Sequence, residues 1–404
     1  MRLILLNPTI IDGKSTEPIE GFSIIIENNR ISKLSKSPTQ TEIKGAKVID
    51  LHGFFAIPGL FDTHTHLVSP LSDVFHANET TVARYIRAGK ECMDGLSVGI
   101  TSVRAVGTHN YLDLAWKRSF ANNMFSGPRI FASGYALTTT AGHAVEKEIT
   151  YASDGGPGFR KIIREQLKEG VDHLKLLMSG GCFGDRWDSP TDTHFLTDEI
   201  ESVFGIAQQR GYKVAVHAGS PESTKIAVKA GAHSIEHGYS LDEESVALMV
   251  SNNTYYVPTL LITHMTNEAA LTPYHKNYIT QWPLPNNLLE RANANRAAHS
   301  SAFKMALEAG VKIAAGSDAG PLKDASILEI ELLVQNGMSP MNAIKAATLT
   351  SAAVCEADEE LGSIEEGKCA DLVILRKNPV EAIGNIRSVY QVYKNGKLAI
   401  DESQ

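Results

Sequence analysis

The hydrophobic rhythm of this chain changes twice. From residue 1 to about 56, short apolar runs alternate with turn residues, as in Phe22-Ser-Ile-Ile-Ile-Glu-Asn-Asn-Arg-Ile31, where the Asn-Asn pair suits a hairpin. Short strands are expected there, and a helix is hard to place. The C-terminal end behaves alike: Ala370-Asp-Leu-Val-Ile-Leu375 reads as a strand and Val389-Tyr-Gln-Val-Tyr-Lys-Asn-Gly-Lys-Leu398 as strand, turn and strand. The two β-rich ends, residues 1–56 and 360–404, are expected to pair into one discontinuous β-sandwich domain.

Between them apolar strands alternate with amphipathic helices, the pattern of parallel strands joined by crossover helices. Eight strands are predicted: Phe55 to His66, Thr101 to Val106, Arg129 to Ala136, His173 to Met178, Lys213 to His217, His233 to His237, Tyr255 to Leu261 and Lys312 to Ser317. Helices are predicted over Phe159 to Glu169, Asp198 to Arg210, Pro221 to Ala230, Asp242 to Ser251 and Asn287 to Ala309. Eight such units over residues 57–359 suit a (β/α)8 TIM barrel, which typically takes about 250 residues. A doubly wound open sheet is the competing α/β architecture. It would gather its site at one switch point, often beside a glycine-rich phosphate loop, and no G-x-G-x-x-G follows the first strand. The polar residues instead end several different strands, as a barrel requires, so the barrel is preferred.

Composition narrows the function more than the fold. With 404 residues and 43% hydrophobic content, the chain builds a large core. Its 38 basic and 46 acidic residues give a net charge of -8 without a long basic run, which removes electrostatic support for nucleic-acid or acidic-membrane binding and favours a small-molecule substrate. Cys92, Cys182, Cys355 and Cys369 are scattered with no C-x-x-C pair, so neither a disulfide scaffold nor a zinc ribbon is expected, and a reducing cytoplasm fits. The apolar N-terminal run breaks after four residues, and no run approaches the roughly 18 apolar residues of a membrane span, so a soluble, unexported protein is expected.

The most informative residue is Lys175, inside the apolar run Val171-Asp-His-Leu-Lys-Leu-Leu-Met178. A buried amine loses hydration, its pKa falls, and its neutral form can capture carbon dioxide as a carbamate, turning a cation into a bridging carboxylate. Seen alone, such a lysine is as readily one that snorkels to solvent. Its companions change the balance. His64 and His66 lie two apart on a strand, so both imidazoles face one side, a chelating arrangement. His217 closes Val214-Ala-Val-His, His237 closes Ser234-Ile-Glu-His, and Asp318 follows Ile313-Ala-Ala-Gly-Ser; Gly316 and Gly320 let backbone and ligands approach closely. Any one of these has an ordinary structural role, as a core histidine or a helix cap. Six suitable residues at five strand ends do not reduce to coincidence.

This order of residues resembles the amidohydrolase superfamily, in its subtype with two divalent metals, over nearly the whole chain. The resemblance implies that His64, His66 and Asp318 bind the more buried ion, that His217 and His237 bind the more exposed one, and that carboxylated Lys175 bridges them. A hydroxide between the ions, zinc by preference, would be the nucleophile, and Asp318 would carry its proton to the leaving amine. Lys175-Leu-Leu-Met-Ser-Gly-Gly181, Ala141-Gly-His143 and Ser234-Ile-Glu-His-Gly238 are most similar to the imidazolonepropionase-like or Xaa-Pro dipeptidase-like branch, whose members cleave dipeptides or N-acyl amino acids. By that resemblance His143 binds or polarises the substrate, and homo-oligomers are common.

One position departs from the branch. Its dipeptidase-like members place a Tyr or His two residues after the strand-five ligand, whereas this chain reads His217-Ala-Gly219-Ser220. The segment Cys182-Phe-Gly-Asp-Arg-Trp-Asp-Ser-Pro190 is also long, and Arg186 within it is a candidate clamp for a substrate carboxylate, because a guanidinium matches a carboxylate in bidentate fashion. Tyr239 and Trp187 are candidate pocket walls, and Cys182 lacks a base partner. The expected activity is therefore amide hydrolysis of a dipeptide or N-acyl amino acid. Lactone, cyclic-amide or carbamate hydrolysis on the same site is the alternative. Deamination is disfavoured by Lys175 and by Ser220, which stands where deaminase-like members carry glutamate. A non-catalytic scaffold is disfavoured by six intact ligand positions.

Overall fold

The computed structural model describes residues 2–67, 79–184 and 187–402. At the N-terminus, β1 (Leu3–Leu6), β2 (Thr9–Ile10), β3 (Ser23–Glu27), β4 (Arg30–Ser35), β5 (Lys47–Asp50) and β6 (Phe55–Pro58) form as the alternating pattern predicts. Asn28 and Asn29 turn β3 into β4 with φ of 50° and 69°, the left-handed pair that matches the twist of a hairpin. One element departs from expectation. Gln40–Ile43 is a single helical turn, started by Thr39 and Glu42, whose side chains bond each other's backbone N–H groups.

The next strands are parallel. They are β7 (Leu60–Thr65), β8 (Ile100–Ala105), β9 (Arg129–Phe131), β10 (Ala136–Thr138), β11 (Thr150–Ala152), β12 (Leu174–Leu177), β13 (Val214–Ala218), β14 (Ser234–His237) and β15 (Tyr255–Val257). They run in two sheets, β7-β8-β9 and β11-β10-β12-β13-β14-β15. Most of their residues are buried on both faces, which is why they read as continuous apolar runs rather than alternating ones. Single backbone bonds extend the sheets. Asp172 N–H donates to Ala132 O, Tyr256 N–H donates to Lys312 O, and Thr63 N–H donates to Ala315 O, so segment 312–317 runs between β15 and β7. That segment, expected as a regular strand, makes one parallel bridge, Tyr256 to Ile313. The expected strand Arg129 to Ala136 divides into β9 and β10 around Gly134, whose φ is 66°.

The predicted helices form with small shifts of boundary: Gly155–Glu169, Thr197–Arg210, Pro221–Ala230, Glu243–Ser251 and Asn286–Glu308. Glycines 170, 211 and 231 end three of them in the left-handed conformation. Among the described residues no helix is long and apolar enough to cross a membrane.

The C-terminal strands β16 (Leu372–Leu375), β17 (Val389–Lys394) and β18 (Lys397–Asp401) join β6 and β2 in one sheet, with Ile374 opposite Ala56 and Val373 opposite Ile57. Leu3, Leu5, Ile24 and Ile26 of the N-terminal sheet share a buried apolar cluster with Ala56, Leu372 and Ile374. Residues from the two ends of the chain thus share one sheet and one apolar cluster.

The predicted strand Phe55 to His66 spans both regions because it breaks at Gly59. Its N-terminal half pairs with β16, its C-terminal half with β8, and Gly59 N–H donates to Asp371 O at 2.8 Å. A Cβ at Gly59 would sit 2.1 Å from Oγ1 and 2.9 Å from Cβ of the buried Thr101. Gly59→Ala should therefore destabilise the protein by about 1–3 kcal/mol, as overpacking does. Denaturant unfolding checks this, and wild-type stability in the variant would show that the crossing point has slack.

Candidate active site

The parallel register lines up the strand ends. Leu177 pairs with His217 and Ala218 with His237, so Lys175 lies two residues deeper than His217 on the neighbouring strand. His64 is in β7, His66 just beyond it, and Asp318 follows segment 312–317, its N–H donating to His64 O at 2.7 Å. All six border one cavity of about 200 Å³, together with His143 and Tyr239.

Each imidazole is held by one nitrogen. His66 Nδ1 lies 2.9 Å from Gly107 O, His217 Nε2 3.0 Å from Gly180 O, His64 Nδ1 2.7 Å from Glu236 Oε2 and His237 Nδ1 2.7 Å from Thr259 Oγ1. A ring nitrogen facing a carbonyl or carboxylate oxygen must carry the proton, which leaves the opposite nitrogen of His64, His66 and His217 with a bare lone pair. Burial holds His64, His217 and His237 well below the usual imidazole pKa, so these rings are neutral, the form that ligates metals.

Asp318 is the common neighbour. Its Oδ1 lies 3.2 Å from His66 Nε2 and 3.6 Å from His64 Nε2, and its Oδ2 3.8 Å from His237 Nδ1. Ligand atoms of His64, His237 and Asp318 all lie within 4.8 Å of one another, a spacing that suits one ion. The resemblance pairs His64 and Asp318 with His66; the tightest group pairs them with His237. Backbone strain gathers here, with φ of 71° at His237, 50° at Thr259 and 53° at Asp318.

Lys175 is buried, and its Nζ has no hydrogen-bond partner among the described residues. Burial lowers its pKa to about 8, against the upward pull of the Glu236 and Asp318 carboxylates, while Arg104 adds to the lowering. An ammonium without a partner is costly in such a place, whereas a neutral amine is not, nor is a carboxylated one whose charge cations offset. The nitrogen and oxygen donors around it fit divalent ions of the zinc type.

His143 lies against the His217 ring, with centroids 4.4 Å apart, and its Nδ1 is 2.6 Å from Asp188 Oδ2. Gly181 makes the room, since a Cβ there would come within 2.1 Å of His143 Cε1. Burial alone would raise the Asp188 pKa, but the bond to His143 and the His194 ring 3.5 Å away bring its carboxyl below the usual range. Tyr239 is buried and stacked on His237, with centroids 5.2 Å apart at 15°. Trp187 also lines the cavity, while the buried Cys182 thiol is pushed up to about 12 by burial and stays protonated. Arg186, the expected carboxylate clamp, lies outside the described residues. At Gly219, the departure noted in sequence, a Cβ would come within 2.8 Å of Pro190 O, and Ser220, which stands where deaminase-like members carry glutamate, caps helix Pro221–Ala230 by accepting from Ser223 N–H.

Four residues around the site escape the sequence reading. Arg104 and Glu236 form a buried ion pair, with Nη2 to Oε1 at 2.7 Å, and Glu236 holds His64. Each is a charge inside an apolar strand, the same anomaly that marks Lys175. Asp188 and Arg291 carry no such local signal. Arg291, from helix Asn286–Glu308, donates to the carbonyls of Gly181, Cys182, Gly184 and Asp188, tying down the loop that holds His143.

Neutral imidazoles, one carboxylate and a dehydrated amine at the ends of parallel strands make a candidate hydrolytic metal centre. The chain belongs to the amidohydrolase family, whose model, described as "Amidohydrolase family", matches residues 55–399. It is 28% identical over 376 residues to ochratoxinase of Aspergillus niger, covering 85% of this chain and 75% of that one. It is 24% identical over 422 residues to imidazolonepropionase of Treponema denticola, covering 94% and 92%. The solved structure of a Xaa-Pro dipeptidase with methionine bound in its active site is 31% identical, with a TM-score of 0.86 over 98% of this chain and 99% of that one.

Arg291→Ala should speed amide hydrogen exchange at Gly181 to Gly184 while the amides of β12 keep their protection, because four carbonyls lose their donor at once. Unchanged exchange in the loop would mean that other contacts hold it.

Proposed function

We propose that this chain is a hydrolase of amide bonds that works with two divalent ions, and that its substrate is a dipeptide or N-acyl amino acid. The observation that carries the reading is the buried, partnerless Lys175 amine in a cavity ringed by His64, His66, His217, His237 and Asp318. Family membership and the similarity to an ochratoxinase and a Xaa-Pro dipeptidase support it. The architecture that suits the reading is a closed (β/α)8 barrel over residues 57–359 with a composite β-sandwich from residues 1–56 and 360–404.

In this reading His64, His66 and Asp318 would hold one ion, His217 and His237 would hold the second, and Lys175, carboxylated by carbon dioxide, would serve both. The group with the tightest spacing, His64, His237 and Asp318, suits one ion and draws on both of these sets. The ions supply Lewis acidity, lowering the pKa of a water and polarising a carbonyl. The protein's own groups do the rest. Asp318 takes the proton of the attacking water on its carboxylate and delivers it to the leaving amine. His143, oriented by Asp188, contacts the substrate at the cavity wall, and Tyr239 fixes the plane of His237 by stacking.

Lys175→Ala should lose both ions and lower amino-acid release from dipeptides or N-acyl amino acids by at least about 10²-fold, since it removes the bridge on which the ionised water depends. Metal analysis of the purified variant beside the release assay checks this, and full metal content with full activity would refute the reading. Wild-type protein loaded with zinc in bicarbonate should carry the added mass of one carbon dioxide by native mass spectrometry, and protein loaded without bicarbonate should carry less metal. Equal loading in the two preparations would argue against the carbamate.

A further inference from the structure

We propose that Arg104 and Glu236 act as positioning residues that set the tautomer of His64, an inference that rests on reading His64 as a metal ligand. Arg104 is buried, reaching from β8 to Glu236 on β14. Its Nη2 donates to Glu236 Oε1 at 2.7 Å and Oε2 at 2.9 Å, its Nη1 donates to Ser234 Oγ at 3.0 Å, and its Nε donates to Thr63 O, one residue before His64. Ser234 Oγ in turn donates to Glu236 Oε1, and His64 Nδ1 faces Oε2 at 2.7 Å.

The direction of every bond follows from chemistry. A guanidinium has only donors, and a carboxylate paired with it has only acceptors. Glu236 therefore accepts from His64 Nδ1–H, and His64 Nε2 keeps its lone pair, directed to Asp318 Oδ1 at 3.6 Å. The outer partner of a ligating imidazole fixes both ring orientation and tautomer. Arg104 adds a second constraint by donating to both oxygens, to Oε1 at 2.7 Å and to Oε2 at 2.9 Å, and Ser234 donates to Oε1 as well.

Glu236→Gln separates this role from packing. The replacement has the same shape, but the shorter of the two Arg104 bonds and the Ser234 bond favour its carbonyl oxygen at the Oε1 position, which turns its NH2 toward His64. Nδ1 must then accept, and the proton moves to Nε2, where the metal should bind. Glu236→Gln should weaken divalent-ion binding by about 10–100-fold, measured by competition with a chromophoric chelator. Adding Arg104→Met removes the donor that dictates the amide orientation, lets the oxygen face His64, and should recover most of the lost affinity.

A folded Glu236→Gln variant with wild-type affinity would overturn the proposal, as would a double variant no better than the single. Wild-type protein that binds no divalent ion would overturn the metal reading beneath it, a distinct result. A measurement on the unaltered, metal-free protein guards against a variant that does not fold. With 15N-labelled histidine, and His64 identified by its missing signal in His64→Asn, His64 should be the Nδ1–H tautomer. Finding the Nε2–H tautomer would reject the proposal.

Discussion

The dehydration of the Lys175 amine is the constraint on which the rest of the site depends. Its Nζ sits at the base of the cavity without a hydrogen-bond partner, in an interior that already holds the Arg104 charge. A second cation there, lacking the carboxylate partner that Arg104 has in Glu236, is unfavourable, and its alternatives are loss of the proton or conversion to a metal-bound anion. The surrounding groups allow the second course only if cations accompany it. Three buried imidazoles stay neutral, and the carboxylates of Glu236 and Asp318 lie on either side of the histidine cluster. A bridging carbamate with two divalent ions would complete a charge balance that the side chains alone leave open.

Precision comes from contacts that exclude alternatives. Gly316 lets the chain pass with its missing Cβ only 2.7 Å from His64 N, and Gly181 admits the His143 ring. His237 and Asp318 keep left-handed backbone angles that cost of order 1–3 kcal/mol each and persist only where the neighbours over-determine them. The loop beyond β12 is pinned by one guanidinium to four carbonyls rather than by an apolar core of its own. Strand ends thus place the clustered side chains, while glycine contacts and buried charges decide which atoms they present.

Much of this was legible in the chain. Lys175, His217 and His237 stand out because a polar residue within or at the end of an apolar strand has no packing reason to be there, and strand alternation pairs His64 with His66. Arg104 and Glu236 carried the same sign inside Ile100–Ala105 and Ser234–His237, yet only pairing across the sheet reveals what they do. The short helix Gln40–Ile43 was marked by Thr39 and Glu42, but four residues among strands make too brief a pattern for periodicity to register. Asp188 and Arg291 were not legible, since their meaning depends on a contact between residues 103 positions apart. The irregularity of segment 312–317 was hidden for a related reason: its apolar run reads as a strand, and its departure comes from the approach to His64.

The most direct test of the central claim is diffraction from crystals grown with zinc and bicarbonate, with anomalous data collected at the zinc edge. The account predicts two anomalous peaks among His64, His66, His217, His237 and Asp318, joined by continuous density extending from Lys175 Nζ as a carboxylate. An unmodified Lys175 beside a single peak, or no peak at all, would contradict it.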